Sequence, residues 1–316
     1  MNFSSMEYFT ILARERSFTK AAEQLHITQQ SLSSHIAGLE KELGCQLLVR
    51  HIPLELTYAG EVFLRYAGSF QDTQTAMLRE FGDISQNQKG ILRIGAAPTR
   101  GRVLLPRAIA AFQKIFPEIR VELTEGANDS LCRLLQQGKL DLAVADFPET
   151  LPKIQLQQFY REEIVLMIRR SLFEETYREK ASECERQFRV GDFRALKECP
   201  FVLGSMEDID GRIGYSVLKS SGIEQPKIRA VSHNVGMLME LCVQGAGACF
   251  CPEILVKSFQ TEQQYREMMV FRLSDEASYW IKFGYRSESY QWSVINAFMS
   301  CAREGIDHSF QRTHSL

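Results

Sequence analysis

The sequence has no long hydrophobic run, and no stretch of its 316 residues approaches the roughly 18 apolar residues that would span a bilayer. It also lacks the basic start and apolar core of a signal peptide, because Glu7 and Glu15 interrupt the first turns. These absences predict a cytoplasmic protein with no membrane partner. The length suits two or three domains of about 100 to 150 residues each.

Neither sign of charge is in excess, since 37 basic residues stand against 39 acidic ones and the net charge is -2. The molecule therefore has no overall positive field that would draw it to nucleic acid, and any DNA binding must be local. The eight cysteines form neither a C-x-x-C pair nor a compact disulfide framework. We interpret them, including the pair Cys249 and Cys251, mainly as small buried hydrophobic residues rather than as a redox or metal site.

Catalytic motifs are also missing. Gly204-Ser205 lacks the second glycine of a nucleophile elbow, and Gly245-Ala246-Gly247 lacks the third glycine of a dinucleotide loop. No Walker loop or H-E-x-x-H motif occurs, and the six histidines are dispersed without ligand spacing. The sequence therefore predicts no enzyme, no cofactor and no metal. At this point one alternative stays open, a cytosolic solute-binding or enzymatic α/β protein whose N-terminal helices serve only for oligomerisation.

The N-terminal segment predicts two helices that meet across a sharp turn at His26, a position where the chain needs positive φ. Ser17 and Thr28 are the predicted N-caps of these helices. The second helix keeps short polar groups on its exposed face, and such groups can pair with base edges in a major groove. These candidate DNA contacts are Thr28, Gln29, Gln30, Ser31, Ser33, Ser34 and His35. The helix pair alone does not decide between DNA recognition and a solvated face.

Two short strands around a Pro53 turn follow and predict a small wing, with Arg50 at its base as a phosphate contact. A long amphipathic helix comes next, and its apolar residues repeat at heptad spacing. This stripe predicts a dimerisation surface, with packing on the C-terminal domain of the same chain as the alternative. Its residues are Phe63, Phe70, Met77, Phe81 and Ile84.

From Ile91 the sequence alternates apolar strands and helices in two sets, which predicts two α/β halves. A weak internal repeat, in which Gly138 and Gly245 are the predicted αL caps, supports two similar halves around a ligand cleft. The loops after the predicted strands are the candidate lining of that cleft. Arg100 beside a helix start favours a carboxylate or phosphate ligand, although a solvated or internally paired arginine stays open. The candidate effector contacts are Thr99, Arg100, Asn128, Ser205, His233 and Asn234.

The segment SFTKAAEQLHITQQSLSSHIAGLEKELGCQLLVR, continued by LTYAG, resembles the LysR-type transcriptional regulators. The motifs IGAAP, FPEIRVELTEG, LDLAVAD and LCVQGAGACFCPE follow in the family's order. The resemblance implies an α/β multidomain protein with a winged helix-turn-helix over residues 1–58 and a dimerisation linker helix over 59–88. It also implies an effector domain over 91–316 with a type 2 periplasmic-binding-protein-like fold. Subdomain I would cover about 91–161 and 269–316, and subdomain II about 162–268.

The resemblance further implies a double-stranded DNA operator, a small-molecule effector and a homodimer or homotetramer as partners, with RNA polymerase as a further candidate. By this resemblance, the family's DNA contacts correspond to Gln29, Gln30, Ser33 and Ser34. Its effector contacts correspond to Thr99, Asn128, Ser205 and Asn234. The segment SMEDIDGRIG has no cysteine, so the redox mechanism of the family's peroxide-sensing branch is not expected here.

Several positions of the DNA-binding segment depart from the family. Gln30 stands where proline is common, Ser34 where arginine is common, and HIPLE replaces a glycine- and arginine-rich wing tip. Residues 1–58 also hold five basic and six acidic side chains, so counterion release contributes little to binding. We therefore expect operator binding to depend on avidity between several weak half-sites.

Overall fold

The structure is a computed structural model that describes residues 3–49, 51, 54–85, 88–259, 262–287 and 290–311. Of the predicted DNA contacts, Arg50 lies outside the described residues. The chain divides into two compact units, Met1–Gln88 with Glu288–Trp292, and Lys89–Ser287 with Ser293–Leu316. Among the helices of the described ranges, none is both long and apolar enough to cross a bilayer.

The first unit is helical with a small two-stranded wing. Its helices are α1 (Phe3–Glu15), α2 (Phe18–Gln24), α3 (Gln29–Leu43) and α4 (Tyr58–Ile84). Its strands β1 (Leu48–Val49) and β2 (Glu55–Leu56) pair antiparallel. Side chains fix the helix starts, because Ser17 accepts a hydrogen bond from the N–H of Lys20 and Thr28 accepts one from the N–H of Ser31. His26 has φ 53°, the positive value that the tight turn requires.

An apolar core joins the three short helices to the start of α4. Phe9 and Leu32 are fully buried, and Phe63 packs edge-on against Phe9 with the ring centroids 5.1 Å apart. The carboxylate of Glu40 accepts hydrogen bonds from the N–H groups of Leu47 and Leu48, which ties the wing to α3. The position of α3 is therefore set by packing on one side and by hydrogen bonds to the wing on the other.

The second unit contains a seven-stranded mixed sheet and a separate two-stranded sheet. The strands are β3 (Gly90–Ala96), β4 (Ile119–Glu125), β5 (Leu142–Ala145), β6 (Ile154–Arg169), β7 (Pro200–Gly204), β8 (Lys227–Ser232), β9 (Cys249–Pro252), β10 (Met268–Arg272) and β11 (Ser278–Arg286). The large sheet has the strand order β10-β6-β11-β5-β3-β4, with β9 also paired to β6, and the small sheet is β7-β8.

Helices cover these sheets and form two halves that share β6. The helices are α5 (Pro98–Ile115), α6 (Asn128–Gln136), α7 (Arg170–Tyr177), α8 (Ala181–Arg189), α9 (Ile209–Ser220), α10 (Val235–Val243), α11 (Glu253–Phe259), α12 (Glu262–Arg266) and α13 (Ser293–Gln311). In the first half, the strands β3, β4 and β5 are parallel. Helix α5 packs on β4, α6 packs on β3 and β5, and α13 packs on α5. In the second half, α9 and α10 pack on β7 and β9.

The halves meet along β6, which has 16 residues. Its first part, from Ile154 to Glu163, pairs antiparallel with β11, and its last part pairs with β9 and β10. The segment over residues 171–194, for which the sequence suggested no role, packs Phe173, Tyr177 and Phe188 into the core of the second half. This segment therefore enlarges the hydrophobic core.

Candidate nucleic-acid interface and ligand cleft

The N-terminal half of α3 presents a row of polar side chains on the surface of the first unit. Gln29, Gln30, Ser34 and His35 are exposed, whereas Ser31 and Ser33 are half-buried on the flank of the helix. Leu32 and Ile36 on the opposite face are fully buried, and this burial fixes which side of α3 faces outward. Four of the predicted contacts within α3 are therefore exposed at the surface, with amide, hydroxyl or imidazole groups.

A shallow polar groove runs along this face of α3. It is lined in part by Ser5, Gln30, Ser34 and Glu42. The ring of His35 packs edge-on against Tyr8 of α1 with the centroids 5.0 Å apart, so its orientation is set by the neighbouring helix. The side chain of Thr28 caps α3 through the N–H of Ser31 at 3.1 Å, which places the first turn of the helix and its free N–H groups at one end of the groove.

The long helix α4 carries an exposed apolar stripe beyond its first turns. The exposed fractions are 46% for Phe70, 48% for Met77, 62% for Phe81 and 71% for Ile84. Phe63 does not belong to this exposed stripe, because it is 9% exposed and packs on Phe9 in the core of its own unit. The heptad pattern in the sequence continues into the folded core, and only packing shows where the exposed stripe begins.

The predicted cleft residues lie at the carboxyl ends of parallel strands. Asn128 opens α6 after β4, Ser205 follows β7, and Asn234 caps α10 after β8 by accepting a hydrogen bond from the N–H of Met237 at 3.1 Å. The Nδ1 atom of His233 lies 2.9 Å from Oδ2 of Asp208, so the loops after β7 and β8 touch. In α/β folds, ligands usually bind beside the loops that follow the carboxyl ends of the strands.

The other cleft candidates have fewer contacts. Thr99 is half-buried in the first turn of α5. The Oγ of Ser205 accepts a hydrogen bond from the N–H of Glu207 at 3.2 Å. The Oδ1 atom of Asn128 is buried and has no hydrogen-bond partner, although buried polar atoms are nearly always paired. Asn128 therefore presents a free acceptor at the end of β4.

Arg100 is buried, and it is held by side chains that the sequence did not indicate. Its Nη2 atom donates to the hydroxyl of Tyr279 at 3.1 Å, and its Nε atom lies 3.6 Å from Oε2 of Glu162. The hydroxyl of Tyr160 donates to the same Glu162 oxygen at 2.8 Å, and that of Tyr279 donates to Oδ1 of Asp210 at 2.8 Å. The internally paired arginine, one of the alternatives from the sequence, is the arrangement in the structure.

The electrostatics of this cluster reflect burial and close charge. Burial lowers the pKa of Arg100, but the surrounding groups Tyr279, Tyr160, Glu162 and Asp210 outweigh it and hold that pKa above its ordinary value. Burial raises the pKa of Glu162 to about 7, with the Arg100 charge acting in the opposite direction. Burial likewise raises the pKa of Asp210. The cluster thus holds a permanent cation beside carboxyl groups that ionise reluctantly.

A third carboxyl group lies nearby at the end of β5. Burial raises the pKa of Asp146, and the charges of Arg100, Lys282 and Arg212 oppose that rise. The Nζ atom of Lys282 donates to the carbonyl oxygen of Phe147 at 3.1 Å. Asp146 therefore brings a half-buried negative group to the same strand ends as Arg100.

The sequence alone did not indicate four residues around Arg100: Glu162, Tyr279, Tyr160 and Asp210. One signal was present, because Tyr160, Glu162 and Ile164 alternate along one strand and therefore share a face. A carboxylate on the face that carries a buried isoleucine requires a buried partner. No sequence pattern links Arg100 to Tyr279, which lies 179 positions away.

Family models match both units of the chain. The model described as "Bacterial regulatory helix-turn-helix protein, lysR family" matches residues 3–61, and the model "LysR substrate binding domain" matches residues 85–307. The chain belongs to the LysR family. It is a DNA-binding transcriptional regulator with an effector-binding domain, and the alternative of an enzyme is set aside because the family consists of regulators.

Curated relatives agree with this assignment. An "Uncharacterized HTH-type transcriptional regulator YcgK" from Bacillus subtilis (strain 168) is 27% identical over 98% of this chain and 96% of its own length. A "Probable RuBisCO transcriptional regulator" from Thalassiosira pseudonana is 34% identical over 52% of this chain and 55% of its own length.

Solved structures of LysR-family regulators share the fold along nearly the whole chain. A full-length OxyR from Pseudomonas aeruginosa has a TM-score of 0.65 at 18% identity and covers 96% of this chain and 95% of its own. CbnR in complex with its target DNA has a TM-score of 0.59 at 22% identity and covers 96% of this chain and 100% of its own. LysR-family regulators bind DNA operators and small effectors, and they oligomerise.

Proposed function

We propose that this LysR-family regulator reads its operator with the exposed start of α3. The contacts are the side chains of Thr28, Gln29, Gln30, Ser31, Ser33, Ser34 and His35, with Arg50 of the wing on phosphate. The observation that supports this assignment is the exposed row of Gln29, Gln30 and Ser34, held outward by the burial of Leu32 and Ile36. Glutamine pairs with adenine through two hydrogen bonds, so this row can specify bases.

The experiment selects an operator from a random DNA pool with the full-length protein and then compares variants on it. Gln29→Ala combined with Ser33→Ala is expected to weaken binding at least about tenfold, because lost base contacts cost about 1 to 3 kcal/mol each. Gln225→Ala, an exposed glutamine of the second unit, is the matched control and should bind like wild type. Unchanged binding by the double variant would show that α3 does not read bases.

A small effector bound between the two halves of the second unit is the second part of the proposal. Its contacts are Thr99, Arg100, Asn128, Ser205, His233 and Asn234. The buried cation of Arg100 favours a carboxylate or phosphate group, and its Nε donor has no hydrogen-bond partner. Effector binding then shifts the population between arrangements of the paired DNA-binding units.

The assembly we propose is a homodimer through the exposed stripe of α4, and a tetramer is the further expectation. Support comes from the four large apolar side chains Phe70, Met77, Phe81 and Ile84, which stand in water at heptad spacing in the single chain. A regulator of this kind acts where the chromosome lies, so we place it in the cytoplasm with RNA polymerase as a partner at the promoter.

A further inference from the structure

Three side chains from distant parts of the sequence form a hydrogen-bonded line across the second unit. Arg100 donates to Tyr279 at 3.1 Å, and Tyr279 donates to Asp210 at 2.8 Å. Arg100 belongs to α5, Tyr279 to β11 and Asp210 to the first turn of α9. We name this line the Arg100–Tyr279–Asp210 clasp.

The clasp joins the two halves that form the cleft. Helix α5 packs on β4 and α13, so Arg100 belongs to the first half. Strand β11 pairs with β5 of the first half, but its residue Tyr279 pairs with Glu162 of the shared strand β6 and packs against the core of the second half. Helix α9 packs on β7 and β9, so Asp210 belongs to the second half. The hydroxyl of Tyr279 links the arginine of one half to the carboxylate of the other, because it accepts from Nη2 of Arg100 and donates to Oδ1 of Asp210. Among the described residues, the halves are also joined by β6, which both of them share, and by α5, which packs on α11 of the second half and places Val103 against its core.

Charge strengthens these contacts. Glu162 is 1% exposed, and its Oε2 atom lies 3.6 Å from the Nε atom of Arg100. The hydroxyl of Tyr160 donates to the same Oε2 atom at 2.8 Å. Hydrogen bonds to charged groups are shorter and stronger than neutral ones, and a buried charge that loses its partner is costly. The cluster therefore favours the arrangement in which Tyr279 links Arg100 to Asp210.

The clasp also has an unused donor. The Nε atom of Arg100 is buried without a hydrogen-bond partner, and a buried donor without a partner costs free energy. An oxygen atom placed within reach of this Nε would satisfy it. The arrangement is thus stable but incomplete, and a ligand oxygen could exchange places with the existing partners of the guanidinium.

We propose that the Arg100–Tyr279–Asp210 clasp sets the resting distance between the two halves of the cleft, with Tyr279 as its central positioning residue. An effector that engages Arg100 acts on this clasp and so on the angle between the halves. The inference rests on the proposed effector cleft, but its test needs no effector.

Hydrogen exchange followed by mass spectrometry on the full-length, ligand-free protein tests the clasp. Tyr279→Phe keeps the ring and removes the one hydroxyl that serves both hydrogen bonds. Amides in segments 205–215 and 276–283 are expected to exchange about tenfold faster than in wild type, because these segments hold the two sides of the lost contact. Asp210→Ala removes the same link from the other side and should give the same result in segment 205–215.

Two variants separate the clasp from a general loss of stability. Tyr177→Phe removes a hydroxyl that donates to the carbonyl of Ala195 at 3.0 Å within the second half, so its faster exchange should stay within segment 172–199. Asp210→Asn keeps an oxygen acceptor for Tyr279 and should exchange within about threefold of wild type in segment 205–215.

The inference is overturned if Tyr279→Phe and Asp210→Ala both exchange like wild type in segments 205–215 and 276–283. It is equally overturned if Tyr177→Phe accelerates those segments as much as Tyr279→Phe does, or if Asp210→Asn opens them as far as Asp210→Ala. If the protein binds no effector, the proposed effector function is wrong, but the exchange result still tests the clasp.

Discussion

At the scale of single residues, Gly60 sits where α4 passes closest to the wing. A Cβ atom at this position would overlap the carbonyl oxygen of Leu47. The surrounding backbone has little freedom to move, because Thr57 donates to the carbonyl of Gln46 at 2.7 Å and accepts from the N–H of Gly60 at 3.0 Å. Only glycine fits at this position in the first turn of α4.

Gly60→Ala is therefore expected to destabilise the first unit by about 2 to 4 kcal/mol, through overlap with a backbone atom that cannot retreat. Urea unfolding of the full-length protein, followed by circular dichroism, measures this change. Gly68→Ala on the same helix is the control. A Cβ there meets nothing within 4 Å, so the variant should be stabilised by up to about 1 kcal/mol. Equal stability of the two variants would contradict the steric argument.

The role of Arg100 depends on neighbours that the sequence does not place beside it. Its position at a helix start beside a cleft allowed a solvated side chain, an internal ion pair or an anion receptor. The structure pairs it with Glu162 and Tyr279, yet its Nε, 3.6 Å from Glu162, has no hydrogen-bond partner. Both the internal pair and a ligand oxygen on that Nε are compatible with this geometry, and the proposed effector uses the second.

At the scale of secondary-structure elements, α4 has two distinct parts. Its first turns carry Gly60, Phe63 and Ala67 into the core, whereas its later turns expose apolar side chains to water. An exposed apolar stripe of this kind is stabilised by a second helix. The later turns therefore carry the proposed dimer contact.

Phe81→Glu is expected to convert the proposed dimer into a monomer, because the paired helices would bury a charge in each seam. Sedimentation velocity at micromolar concentration measures the outcome. Thr75→Glu adds the same charge on the opposite side of α4, where the side chain is exposed, and should leave the assembly unchanged. A Phe81→Glu variant that stays dimeric would exclude this stripe as the interface.

Strand β6 is longer than its run of apolar residues indicates. The apolar run from Ile164 to Ile168 indicates a buried strand, but the polar residues before it do not. In the structure the strand begins at Ile154, because β11 pairs with this polar part along one edge. Pairing partners thus extended the strand beyond what local hydrophobicity indicates.

At the scale of the whole molecule, the charge of the DNA-binding segment is near neutral, and we therefore expect several copies to act together on one operator. Residues 1–58 have five basic and six acidic side chains, and α3 has only Lys41 as a basic residue. Phosphate neutralisation therefore supplies little of the affinity, and the base contacts of one unit are few. Linking two weak contacts in one oligomer raises the effective concentration for the second binding event.

We expect the full-length protein to bind a complete operator at least about 100-fold more tightly than the same DNA with one half-site scrambled. Fluorescence anisotropy at fixed salt concentration measures both affinities. The Phe81→Glu variant serves as the control, since a monomer should lose the difference between the two DNAs. Equal affinity of wild type for both DNAs would show that one half-site is sufficient.

The sequence alone determined the family, the helix-turn-helix and the exposed face of α3, because these depend on local patterns. Caps at Ser17 and Thr28, the turn at His26 and the periodic apolar residues act within a few positions of each other. The αL caps at Gly138 and Gly245 are also local, and both have positive φ in the structure.

Only the tertiary structure decided which charges meet in the cleft and where the stripe of α4 becomes exposed. Arg100, Glu162, Asp210 and Tyr279 come from four different elements, and their contact depends on how strands and helices pack over long sequence distances. Phe63 continues the heptad pattern in sequence but is buried by Phe9, a residue of another helix. Contacts of this kind leave no local pattern in the sequence. The contacting residues lie many positions apart, and the secondary-structure preferences of the residues between them do not depend on the contact.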